Sequence, residues 1–163
     1  MNPDELKDIL LAEDSANDIE LTVTALEKHK IANRLVVVRD GAEVMDYLLR
    51  EGGFADRAEG NPAVILLDLK MPRVDGLEVL RRVKSDPKLK SIPIVVLTSS
   101  REESDLAEGY RLGVNAYVVK PVRFNEFIGA VEQLGVFWAL VNEPPPGSLT
   151  ARNDRLALAR ERA

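Results

Sequence analysis

The chain contains no cysteine, and this absence excludes disulfide bonds, thiolate chemistry and a cysteine zinc site. The single histidine, His29, cannot form a multi-histidine metal centre. The longest apolar runs are far too short to span a bilayer, and the first residues lack the basic start and apolar run of a secretion signal. We therefore expect no contact with a membrane and a cytoplasmic location.

An excess of positive charge is also lacking. The 163 residues carry a formal net charge of −5. This charge argues against nucleic acid as a partner, because general binding to phosphate backbones needs a basic surface. Three consecutive prolines at 144–146 mark the end of the apolar pattern. They predict one domain over 1–143, followed by a Pro-rich linker and C-terminal tail over 144–163.

Five short runs rich in Val, Ile and Leu alternate with stretches of helical periodicity. The apolar runs cover 8–12, 35–38, 64–67, 94–97 and 117–119. The helical stretches cover 18–28, 42–50, a segment that includes 77–83, then 102–112 and 123–141. Continuous apolar strands of this kind are typical of a parallel sheet with both faces covered. The pattern predicts an α/β fold of three layers.

Polar side chains follow four of the five predicted strands. They are Glu13 and Asp14 after the first strand, Asp68 after the third, Thr98 after the fourth and Lys120 after the fifth. The carboxyl ends of parallel strands meet at one edge of an open sheet, where ligands bind at the switch point of strand order. Arg39 and Asp40 follow the second strand, and we expect them in a solvated turn.

Three carboxylates at one edge repel one another, so at least one would tend to take up a proton. A hard divalent cation relieves this conflict, and Mg²⁺ prefers a few carboxylates, a carbonyl and several waters. With Lys120 and one divalent cation, the formal charge of Glu13, Asp14 and Asp68 is balanced. Asp68 could then act as a nucleophile toward phosphorus, as carboxylates do in aspartyl-phosphate chemistry.

These motifs resemble the receiver domain of two-component response regulators. The residues that carry the resemblance are Glu13-Asp14, DLKMPRVDG from Asp68, LTSS from Leu97, and Lys120-Pro121. The resemblance covers about 7–141. It implies a flavodoxin-like (βα)5 fold with strand order 2-1-3-4-5. It also implies a signalling phosphoacceptor rather than an enzyme, one that receives phosphate from a sensor histidine kinase with Mg²⁺ as cofactor.

The resemblance assigns a role to each matching residue. It implies that Asp68 is the phosphoacceptor and a metal ligand, that Asp14 binds the metal directly, and that Glu13 acts mainly through bound water. It implies that the backbone carbonyl of Lys70 is a further metal ligand, and that Thr98 and Lys120 bind the phosphoryl group. It also implies that Thr98 and Tyr117 form the switch pair and that Pro121 is a cis-proline. The simpler interpretations stay open: Thr98 could cap a helix, and Tyr117 could be a packed ring.

The last predicted helix carries more apolar surface than one face of a surface helix needs. Phe137 and Trp138 belong to this excess, and an exposed apolar patch usually marks an interface. The stretch is similar to the end of single-domain response regulators associated with phytochrome kinases. That resemblance implies a homodimer formed through the fourth helix, fifth strand, fifth helix and C-terminal segment. Burial of both residues in the core is the alternative.

Two other function classes compete with the signalling switch. One is a phosphatase of the aspartyl-phosphate type, which usually has a second acid two residues after the nucleophile. Lys70 occupies that position here and argues against this class. The other is a receiver-like scaffold that binds its partners without phosphorylation.

Overall fold

A five-stranded parallel sheet forms the centre of the protein. The computed structural model describes residues 6–29, 31–98, 111, 113–114 and 116–133. The strands are β1 (Ile9–Ala12), β2 (Leu35–Val38), β3 (Val64–Asp68), β4 (Ile94–Thr98) and β5 (Tyr117–Val119). Their order is β2-β1-β3-β4-β5, and every neighbouring pair is parallel. The predicted strand order and the flavodoxin-like fold are therefore confirmed.

Helices follow the strands as the periodicity predicted. They are α1 (Ala16–Lys28), α2 (Gly41–Leu49), α3 (Gly76–Ser85) and the last described helix, Phe124–Gln133. A short 3-10 helix, Gly52–Phe54, lies in the segment between α2 and β3. The predicted helix over 102–112 lies outside the described residues except for 111, and so does the predicted continuation of the last helix beyond 133. Among the helices in the described part of the chain, none has the length and apolar character of a membrane span.

Alternate residues of the inner strands point to opposite faces of the sheet and fill two separate apolar clusters. Leu10, Ile65 and Val96 belong to a cluster that also contains side chains of α2 and α3. Their neighbours in the same strands, such as Leu66 and Leu97, join a second cluster with side chains of α1 and the last described helix. Both faces are therefore covered, which explains why the strands are apolar without alternation.

The first three helices each begin with a side-chain cap directly after the preceding strand or loop. Ser15, Asp40 and Asp75 accept hydrogen bonds from the backbone N–H three residues further on. Such caps satisfy a backbone donor that the helix itself leaves without a partner. Of the two residues expected in a solvated turn, Arg39 is exposed, whereas the expectation for Asp40 was wrong. Its side chain is only 15% exposed, because it caps α2 and also pairs with Arg73 at 3.0 Å.

A polar network closes the opposite end of the sheet. The Asp8 carboxylate accepts two hydrogen bonds from Arg34, at 2.9 and 3.1 Å, and one from the Tyr47 hydroxyl at 2.6 Å. Arg57 packs over the Tyr47 ring and donates to the Tyr47 carbonyl oxygen at 2.7 Å. This network joins the segment between α2 and β3 to α2 and to the start of β1, so Tyr47 links three parts of the fold.

Replacing Tyr47 with Phe keeps the ring and removes the hydroxyl that donates to Asp8. We expect the free energy of unfolding to fall by about 1–2 kcal/mol near neutral pH, because a hydrogen bond to a charged group is lost. Burial alone would raise the pKa of the Asp8 carboxyl, but the hydrogen bonds from Arg34 and Tyr47 hold that pKa below its usual range. The ionised carboxylate therefore stabilises the fold above the unfolded pKa of about 4, and this contribution is lost as pH falls.

Urea unfolding of the wild type and Tyr47→Phe checks this expectation. The difference in free energy of unfolding should be largest at neutral pH and should shrink as Asp8 is protonated below about pH 4. A difference that stays constant across this pH range would show that the hydroxyl does not act through the ionised carboxylate.

Candidate functional site

The register of the central strands brings the predicted acids together. Ala12 at the end of β1 pairs with Leu67 of β3, so the residues that follow Ala12 lie beside Asp68. Carboxylate oxygens of Glu13, Asp14 and Asp68 all lie within 4.8 Å of one another. Glu13 and Asp68 are buried, with 1% and 4% of their surface exposed, whereas Asp14 is exposed. One edge of the sheet therefore holds three converging acids, one of them open to solvent.

Lys120 reaches into this cluster from the end of β5. Its Nζ lies 3.1 Å from Oε1 of Glu13 and 3.5 Å from Oδ2 of Asp68. Asp18, which is not one of the three converging acids, also accepts a hydrogen bond from this ammonium group at 3.0 Å. Burial alone would lower the pKa of Lys120, but the hydrogen bonds to Asp18 and Glu13 outweigh it and raise the pKa. Lys120 therefore stays charged and neutralises part of the acidic cluster.

One ammonium group does not balance the acids. Burial, together with the hydrogen bond and the charge of neighbouring Asp68, raises the pKa of Glu13 to about 7 although Lys120 opposes the shift. Glu13, Asp14 and Asp68 offer oxygen ligands, and the exposure of Asp14 leaves room for metal-bound water. Such a set of ligands fits a hard divalent cation, which Mg²⁺ sites bind through few carboxylates and several waters. A bound cation would relieve the conflict that shifts Glu13.

The loop after β3 is held close to Asp68. The backbone N–H of Lys70 donates to Oδ1 of Asp68 at 3.0 Å, which fixes the orientation of that carboxylate. Gly76 donates its N–H to the Leu69 carbonyl at 3.0 Å, and a Cβ on Gly76 would overlap the Asp68 carbonyl. Arg73 joins the same loop to Asp40 at the start of α2. The backbone around Lys70 is thereby positioned next to the acids.

The remaining predicted site residues differ in how far the structure describes them. Thr98 ends β4 beside Val119 of β5, and its side chain lies outside the described part of the chain. Tyr117 begins β5, is half-buried, and packs against the cluster that contains α2 and α3 side chains. The Lys120-Pro121 peptide bond is cis. The predicted interface residues, Phe137 and Trp138, lie outside the described residues.

Asp18 is the site residue that the sequence reasoning missed. It was treated only as the beginning of the first helix, and no charged role was assigned to it. Its carboxylate nevertheless makes the shortest contact of the Lys120 ammonium among those described. The available signal was its position four residues after Asp14, about one helical turn further along. The site thus carries one more negative charge than the sequence-based count included.

A model of the family described as "Response regulator receiver domain" matches residues 9–132. Among curated proteins, the chain is 39% identical over 132 residues to "Response regulator Rcp1" of Synechocystis sp.. The match covers 81% of this chain and 88% of that protein. The range matched by the family model includes all of the motifs that carry the resemblance.

Two solved structures extend the likeness to three dimensions. "Bacteriophytochrome response regulator RtBRR" is 60% identical, with a TM-score of 0.78, and the match covers 95% of this chain and 93% of that one. The structure titled "Crystal structure of the Mn(2+)-bound form of response regulator Rcp1" is 37% identical, with a TM-score of 0.66. That match covers 88% of this chain and 97% of the other.

Proposed function

The chain belongs to the response regulator receiver domain family, whose members are signalling phosphoacceptors, and from this premise we propose its specific role. It receives a phosphoryl group on Asp68 in a two-component phosphorelay, with Mg²⁺ as cofactor. It acts as a single domain, through contacts with other proteins. The observation that carries the proposal is the approach of the Lys120 ammonium to Asp68 inside a cluster of three acids.

The residues of the candidate site each have a part in the transfer of the phosphoryl group. An oxygen of Asp68 attacks the phosphorus of a phosphohistidine, the P–N bond breaks, and its electron pair stays on the imidazole, which takes a proton from water. Lys120 donates to a phosphoryl oxygen, while the N–H of Lys70 holds the other oxygen of Asp68 in place. Asp14, Asp68 and the Lys70 carbonyl would hold Mg²⁺ directly and Glu13 mainly through bound water, and the bound ion would supply positive charge beside the phosphoryl oxygens. Thr98 and Tyr117 form the switch that responds to the new group.

The partner is a sensor histidine kinase, and the similarity to bacteriophytochrome response regulators supports a phytochrome kinase as that partner. The protein also forms a homodimer through the fourth helix, β5, the fifth helix and the C-terminal segment that contains Phe137 and Trp138, and the apolar excess of that segment supports this interface. Light scattering of the purified chain, with and without a phosphodonor, measures whether the dimer exists and depends on phosphate.

Phosphotransfer from an autophosphorylated histidine kinase tests the proposal. We expect radiolabel to leave the kinase and appear on the wild-type chain when Mg²⁺ is present. Asp68→Asn should acquire no label, because an amide oxygen is a poor nucleophile and its phosphorylated product is unstable. A matched variant, Asp86→Asn at the end of α3, keeps the site intact and should acquire label like the wild type. Equal labelling of Asp68→Asn and wild type would refute the proposal.

A further inference from the structure

The three N–H donors of the Lys120 ammonium face three acids. Asp18 accepts at 3.0 Å, Glu13 at 3.1 Å and Asp68 at 3.5 Å. An ammonium group has only three N–H donors. The contact with Asp68 is the longest of the three, so a phosphoryl oxygen on Asp68 can bind the ammonium group closely only if Asp18 or Glu13 loosens its hold.

The local structure fixes Asp18 in this position. Its backbone N–H donates to Oγ of Ser15 at 3.2 Å, and the N–H of Ser15 donates to Oε2 of Glu13 at 3.3 Å. The cap that begins α1 thus ties Asp18 to the same end of β1 that carries Glu13. Asp18 is not one of the three acids that converge as metal ligands. Its link to the site runs through Lys120.

Burial decides which acceptor can release the ammonium group. The Glu13 side chain is 1% exposed, so water cannot replace the ammonium group there, and a buried polar group would lose a hydrogen-bond partner, which is costly. The Asp18 side chain is 27% exposed, so water can replace the ammonium group at little cost. Asp18 is therefore the acceptor that can exchange Lys120 for solvent.

We propose that Asp18 is a positioning residue that holds Lys120 in the unphosphorylated protein and yields it to the phosphoryl group on Asp68. This inference rests on the proposed function. While Asp18 keeps its charge, it competes for the ammonium group and opposes phosphorylation. Removing the charge frees Lys120, so the site should bind a phosphoryl group more tightly.

Equilibrium binding of beryllofluoride, a phosphoryl analogue, tests the inference without covalent chemistry. The full chain is titrated at saturating Mg²⁺ so that a change in metal affinity does not enter the result. We expect Asp18→Asn to tighten binding by about 3–10-fold, because one competing charge is lost at a partly buried site. Glu20→Gln removes a charge from an exposed position of the same helix and should change the affinity less than about 1.5-fold.

A second pair of variants shows whether Asp18 acts through Lys120. The single variant Lys120→Gln is compared with the double variant Asp18→Asn/Lys120→Gln. In both, Asp18 and the phosphoryl analogue no longer compete for an ammonium group. We expect the gain in affinity to disappear there, and an equal gain in both backgrounds would overturn the inference. Unchanged or weaker binding by Asp18→Asn alone would also overturn it. If the wild type does not bind beryllofluoride with Mg²⁺, the proposed function itself fails, which is a different result.

Discussion

Asp68→Asn is expected to stabilise the metal-free protein while abolishing its uptake of phosphate. In the absence of metal, Asp68 faces the buried Glu13 carboxyl. Burial is the largest cause of the raised pKa of Glu13, and the hydrogen bond and the charge of Asp68 are the next largest causes. Replacing one acid by a neutral amide removes this repulsion and leaves Lys120 paired with Glu13 and Asp18. We expect the free energy of unfolding to rise by about 1 kcal/mol, because the repulsion between two neighbouring buried acids is relieved.

Added Mg²⁺ should reverse the order of stability. A ligand that binds only the folded state stabilises it by about 2.7 kcal/mol when its concentration is about 100 times its Kd. The wild type should gain this amount, whereas Asp68→Asn lacks one ligand and should gain much less. Urea unfolding in chelator and in Mg²⁺ measures both effects. If Asp68→Asn is less stable than wild type in chelator, the acids do not repel one another as the geometry indicates.

Such an opposition between stability and function is expected at a site where the chemistry requires residues that repel one another in the folded state. Glu13 and Asp68 are among the few buried charged residues in the described part of the chain. Apolar side chains would stabilise the end of the sheet better than these acids do. The burial of Asp68 at the tip of an apolar strand is therefore better explained by the proposed chemistry than by folding.

Gly41→Ala is expected to destabilise the fold strongly and to displace the loop beside the site. A Cβ on Gly41 would overlap the carbonyl and Cβ of Val74, so backbone at the start of α2 or in the loop after β3 must move. Val74 follows Arg73, which pairs with Asp40 next to Gly41, so the contact and the ion pair join the same two segments. We expect a loss of about 3 kcal/mol in free energy of unfolding, at the upper end for overpacking in a closely packed region.

Gly129→Ala is a matched control for this substitution. Gly129 lies in the last described helix, and nothing lies within 4 Å of the position that its Cβ would take. Ala is favoured over Gly in a helix by up to about 1 kcal/mol, so this variant should be as stable as the wild type or more stable. Thermal and urea unfolding compare the two variants directly. If Gly41→Ala were as stable as Gly129→Ala, the start of α2 and the loop after β3 would not pack as described.

The sequence predicted the sheet because its signals are local. Each apolar run of β1, β3 and β4 is continuous, which indicates burial on both faces, and each strand end is marked by a polar residue. The resemblance then supplied the strand order, which spacing alone does not determine. The convergence of Glu13, Asp14 and Asp68 follows from parallel register, since equivalent strand ends lie side by side.

The sequence did not predict the ion pairs that surround the site. Arg73 and Asp40 are 33 residues apart, and Lys120 and Asp18 are 102 residues apart. Both pairs use charged residues that could equally face solvent, so composition and periodicity give no reason to join them. The pairs are decided by how α1 and the loop after β3 pack against the ends of neighbouring strands, which is known only once the fold is formed.

The most direct test of the central claim is the Mg²⁺ dependence of phosphorylation at Asp68. The purified chain is incubated with a small phosphodonor in Mg²⁺ or in chelator, and intact and peptide mass spectrometry locate any added group. We predict one phosphoryl group per chain, on the peptide that contains Asp68, only when Mg²⁺ is present. Labelling that is equal in chelator, or that falls on another residue, would contradict the account.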